Sequence, residues 1–69
     1  MERIDARGLS CPQPVVLAKN KIDKIGSGEF EIIVDSATAR DNISRFAGNA
    51  EWAVSIRSEV DDIVLHLKK

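Results

Sequence analysis

The sequence predicts an α+β fold: a two-layer sandwich of element order β-α-β-α-β-β, with both helices on one face of a four-stranded mixed sheet. Three observations carry this. The apolar spacing switches along the chain between a period of two and a period near 3.6. Clusters of Gly, Pro, Asp and Ser separate the segments. Each segment of period two shows one apolar face, which suits a sheet covered on one side and wet on the other. The 69 residues are expected to form a single domain, 1–69.

Taken in order, Arg3-Ile4-Asp5-Ala6 alternates polar and apolar and predicts a short first strand. Val15, Ala18, Ile22 and Ile25 recur at three, four and three residues and predict a one-sided helix. Phe30-Glu31-Ile32-Ile33-Val34 is β-rich, with Phe30, Ile32 and Val34 on one face. Ala39, Ile43, Phe46, Ala47 and Ala50 make a second helical stripe. Trp52, Val54 and Ile56 alternate with polar or small residues, as do Ile63, Leu65 and Leu67. The turn signal at Val60-Asp61-Asp62 joins these last two strands into an antiparallel hairpin. A helix between the first two strands predicts a right-handed crossover and parallel pairing. The wet face should carry Asp5, Glu31, Ser55, Arg57 and His66. Ile33 and Val64 fall there too, which marks part of that face as a docking surface. Trp52 reads as packing rather than as a ligand platform.

Composition narrows the function classes. Formal charge is −1, which gives no electrostatic footprint for coating nucleic acid. One Cys and one His cannot assemble a structural zinc site, and one Cys makes no internal disulfide. No apolar run approaches the roughly 20 residues of a membrane span, and the first residues lack the apolar region of a signal peptide. The expectation is a cytoplasmic domain with no structural zinc site and no membrane partner. A surface site is expected rather than an enclosed one.

The informative stretch is Arg7-Gly8-Leu9-Ser10-Cys11-Pro12-Gln13-Pro14, which follows a strand and opens a helix. Pro12 and Pro14 suit a first helical turn and fix the helix start just after Cys11. The positive end of the helix favours a thiolate over a thiol there, although the prolines also remove two N–H donors. Residues 1–24 hold five Lys or Arg against three acids, so the cysteine lies in the more basic half. No base is in view: the single His66 sits in the last strand, on the wet face. There is no resolving Cys for a dithiol cycle. A lone exposed thiolate can still accept a group, carry it and hand it on, and sulfur is the natural cargo. A buried, structural Cys11 in a regulatory or RNA- or protein-binding module is the alternative. The paucity of aromatic residues and the near-neutral charge argue against direct nucleic-acid binding. A Cys-Pro haem dipeptide is a further, weaker reading.

Asp5-Ala6-Arg7-Gly8-Leu9-Ser10-Cys11-Pro12-Gln13-Pro14-Val15 resembles the signature of the TusA/SirA/YedF-like sulfur-carrier family, whose mark is a Cys-Pro-x-Pro motif opening the first helix. The resemblance covers essentially the whole chain. Residues 39–47 are closest to the YedF-like branch, often linked with selenium metabolism. The resemblance implies a fold similar to the C-terminal domain of translation initiation factor three. It implies that Cys11 accepts a persulfide from a cysteine desulfurase or rhodanese-like donor, with no cofactor and no metal. The sulfur, or selenium in its place, then passes to a DsrE-like or other acceptor.

Supporting residues follow from position. Both loops after parallel strands one and two leave the same sheet edge, so Asp35 should lie near Cys11. Either Asp35 or Ser36 should also cap the second helix. Thr38 with Asp41 fits a capping box. Gly8 permits the turn, and Arg7 is placed to meet a partner's acidic patch, a persulfide anion or solvent. Lys19, Lys21 and Lys24 line the exposed side of the first helix.

Overall fold

The alternating segments form a sheet of order β1-β2-β4-β3 in the computed structural model, which describes residues 2–10 and 12–69. The elements are β1 (Glu2–Asp5), α1 (Gln13–Ile25), β2 (Glu29–Val34), α2 (Ala37–Asn49), β3 (Ala53–Glu59) and β4 (Asp62–Lys68). β1 pairs parallel with β2, as the intervening helix requires, while β2 and β3 both run antiparallel to β4. The expected architecture is therefore the one observed.

The core lies between the helices and one sheet face. β2 gives Phe30, Ile32 and Val34, β4 gives Leu65 and Leu67, and all five are fully buried. Each such side chain contributes about 1.5–3 kcal/mol by leaving water. Ala18 of α1 and Ala47 of α2 are also fully buried, small enough for the helices to lie close to the sheet. Trp52 packs edge-on against Phe30, ring centroids 5.7 Å apart, which makes it a core residue as read from the sequence. Gly26 ends α1 in the left-handed region, φ +72°, and its N–H reaches the carbonyl of Ile22.

Three local readings change. The cap of α2 is Ser36, whose Oγ accepts from the Ala39 N–H at 3.1 Å; the helix begins at Ala37, so Thr38 is already inside it and Asp41 pairs instead with Arg40. Trp52 precedes β3 rather than starting it. Ile33 and Val64 do lie on the face away from the helices, but they are 8% and 1% exposed and form no docking surface. The register explains this. Asp5, Ile33, Val64 and Arg57 stand side by side across the four strands. Glu31 accepts from both Arg3 (2.8 Å) and Arg57 (3.2 Å) on that face, and Arg57 also holds Glu59. Ion pairs of arginines with carboxylates therefore stand on the same sheet face as the two apolar side chains.

Candidate functional site

The segment between β1 and α1 is held from several directions. Gly8 takes φ +76°, and a Cβ there would meet nothing within 4 Å, so the position requires backbone freedom rather than space. Its N–H donates to Asp35 Oδ2 at 2.8 Å. Asp35 leaves β2 at the same sheet edge as this loop, as parallel strands dictate. With Ser36 capping the helix, Asp35 is left to anchor the loop. Just before Gly8, Arg7 donates its backbone N–H and its guanidinium to Asp5, and its Nη1 reaches Asp62 Oδ2 at 2.9 Å. Arg7 thus turns to carboxylates of its own chain. Its hydrogen bonds hold the Asp5 carboxyl well below its ordinary value, at about 2.

On the helix side, Pro12 occupies the cap position of α1 with φ −100°, and Pro14 sits in the first turn, fully buried. No side chain caps this turn. The Gln13 N–H donates back to the Ser10 carbonyl at 2.9 Å. Cys11, the expected reactive residue, lies outside the described residues. Its neighbours on both sides are described. Leu9 and Val16 are 41% and 39% exposed.

The basic character expected of the first 24 residues is largely spent internally. Arg3 meets Glu31, Arg7 meets Asp5 and Asp62, Lys19 meets Asp23, and Lys21 meets Glu2. His66 pairs with Glu29 on the open face of the sheet, the side opposite α1. It is in no position to serve as a base beside Pro12.

The sequence reading missed one feature. A groove of about 330 Å³ opens beside Pro12, walled by Val15 of α1 and by Asn42, Arg45, Phe46 and Asn49 of α2. The spacing 42, 45, 46, 49 is a helical stripe and was legible as one. It lies beside the apolar stripe of α2, and Phe46, common to both, is half-buried because it faces the groove.

Known proteins resemble this arrangement along its whole length. The family profile described as sulfurtransferase TusA matches residues 2–69. A candidate sulfur carrier protein of Methanocaldococcus jannaschii is 34% identical over 62 residues, covering 88% of this chain and 83% of that protein. A second, from Halobacterium salinarum, is 34% identical over 67 residues, covering 94% and 83%. The crystal structure of a SirA-like protein from Desulfitobacterium hafniense superposes with a TM-score of 0.92 at 27% identity, covering 99% of this chain and 96% of that one.

Proposed function

The chain belongs to the TusA sulfurtransferase family, and from that premise we propose that it is a sulfur carrier whose Cys11 accepts a persulfide from a donor protein and relays it to an acceptor. The observation that carries the reading is the sequence Cys11-Pro12-Gln13-Pro14, with the chain before it tied down at Gly8 and at Ser10. The names of the relatives support the same cargo.

The chemistry needs little else. The Cys11 thiolate attacks the outer sulfur of a donor persulfide; that S–S bond breaks as a new one forms on Cys11, and the donor leaves as a thiolate. The acceptor's thiolate then repeats the exchange and regenerates Cys11. Both steps are thiol exchange and call for no oxidant, metal or general base. A cysteine desulfurase or a rhodanese-like protein would serve as donor, and a DsrE-like protein as acceptor. The YedF-like character of α2 extends the proposal to selenium as alternative cargo.

Intact mass of the purified domain, after incubation with a cysteine desulfurase and either cysteine or selenocysteine, tests this. A reductant-sensitive gain of one sulfur or selenium atom is expected on the wild type and not on Cys11→Ser. Equal labelling of the two would overturn the assignment.

A further inference from the structure

The groove beside Pro12 has a lining that selects its occupant. Among the described residues Arg3, Arg7, Arg40 and Arg57 each pair with a carboxylate. Arg45 does not: its hydrogen bond is to Asn42 Oδ1, at a long 3.3 Å. A guanidinium has five N–H donors and matches a carboxylate two-pronged, so Arg45 keeps most of its capacity in hand. The lining holds no carboxylate to repel an anion. Pro12, Val15 and Phe46 supply an apolar wall for a short carbon stem, and Asn49 a carboxamide. A volume of about 330 Å³ lies at the small end of ligand sites, roughly 300–1,000 Å³. It fits an amino-acid or short-peptide ligand rather than the face of a folded partner. The wall opposite Arg45's helix begins at the residue that follows Cys11.

We propose that this groove binds a low-molecular-weight thiol bearing a carboxylate, in its persulfide form, and that this molecule exchanges sulfane sulfur with Cys11. The carboxylate sits on Arg45, the stem lies along Val15 and Phe46, and the sulfur end is directed to the Pro12 end. The inference rests on the reading of Cys11 as a sulfur acceptor. The Cys11 thiolate attacks the outer sulfur of R–S–SH. The R–S–SH sulfur–sulfur bond breaks, a Cys11–S–SH bond forms, and R–S⁻ departs and takes a proton from water. One S–S bond replaces another, so there is no net oxidation or reduction. The reverse exchange unloads the carrier to a small thiol.

The test measures the rate at which persulfide appears on Cys11, by intact mass, with three small donors: cysteine persulfide, cysteamine persulfide (the same stem without the carboxylate) and inorganic polysulfide. The wild type should load about tenfold faster from cysteine persulfide than from cysteamine persulfide. That ratio should fall to within about twofold in Arg45→Gln and in Asn49→Asp, which places a repelling charge in the groove. Tenfold corresponds to about 1.4 kcal/mol, the size of one charge-assisted contact. Equal wild-type rates from the two thiol persulfides, with loading by polysulfide intact, would overturn the groove and leave the Cys11 reading standing. A ratio that survives in both variants would overturn Arg45 as the anchor. No loading from any of the three, while a cysteine desulfurase still loads Cys11, would overturn this inference alone; no loading from the desulfurase either would overturn the carrier reading with it.

Discussion

Arg7 and Asp62, 55 positions apart in the chain, meet at 2.9 Å across the open face of the sheet. The contact ties the end of β1, over β2, to the start of β4, and so links the loop before Cys11 to the β3–β4 hairpin. Asp62→Asn should loosen that loop while the Arg7–Asp5 pair remains. An exposed ion pair contributes about 0–1 kcal/mol, so the thermal midpoint should drop by no more than about 8 °C. Amide exchange over residues 7–10 should accelerate by up to about fivefold, the equivalent of about 1 kcal/mol. Unchanged exchange there would show that Asp62 does not hold the loop.

Asp35 and Ser36 are neighbours with separable duties. Asp35→Ala removes the acceptor of the Gly8 N–H. It should slow sulfur acceptance by Cys11 with little loss of helix stability. Ser36→Ala removes the cap of α2 and should cost about 1 kcal/mol of stability, with acceptance unaffected. Measuring midpoint and loading rate for both variants checks the pair, and parallel losses in both quantities would contradict the division.

The Asp5 carboxyl, held at about 2 by its bonds from Arg7, makes a signed prediction about pH. Its folded value lies below the unfolded value of about 3.9. Its contribution is therefore complete above about pH 4 and is lost as pH falls toward 2. Glu31 and Glu2, lowered by Arg3 and by Lys21, act in the same direction. Melting curves of the wild type and Asp5→Asn should differ at pH 7 and converge near pH 2. A gap that stays constant with pH would refute the assignment.

Val60 sits at φ +52° at the tip of the β3–β4 hairpin, fully exposed. A β-branched residue is strained there, by about 1–3 kcal/mol, and gains nothing from burial. Val60→Gly should raise the thermal midpoint by several degrees, net of the entropy glycine adds to the unfolded chain. A lower midpoint would mean that the turn does not store the strain.

Glu31 receives two arginines while only 12% of its side chain is exposed. Glu31→Gln should weaken both contacts and lower the midpoint by about 4–8 °C, the shift expected for about 1 kcal/mol in a domain of this size. Double variants with Arg3→Gln or Arg57→Gln should lose less than the sum of the single losses.

The fold was legible because each strand alternates and each helix carries a stripe; these are local signals. The central place of β4 was not read from the sequence, which assigned Val64 to a docking surface. Val64 interrupts the alternation between Ile63 and Leu65, and both faces of β4 prove to be covered. The charged surroundings of Val64 were not legible, because Arg57 looks in sequence like an ordinary surface charge and only register sets it beside Val64, next to the row that holds Arg3 and Glu31. The Cys-Pro-x-Pro segment announced itself, and the closeness of Asp35 to its loop followed from parallel pairing. The Arg7–Asp62 contact did not follow, since nothing local links residues 55 apart. Arg45 was hidden for the opposite reason: its distinction among the described residues is that it meets an amide and no carboxylate, which is seen only once the other arginines have been placed.

The tethers at Gly8 and Ser10 bear on timing. Because the backbone on either side of position 11 is fastened to Asp35 and to the first turn of α1, its freedom is given up once, when the chain folds, and not again at each encounter. A donor or acceptor meets flanks that are already set, so little of its binding energy is diverted into ordering them. Brief, small contacts then suffice for recognition, and brief contacts let go quickly. A shuttle that must leave one protein to reach the next is served by fast release as much as by a reactive sulfur.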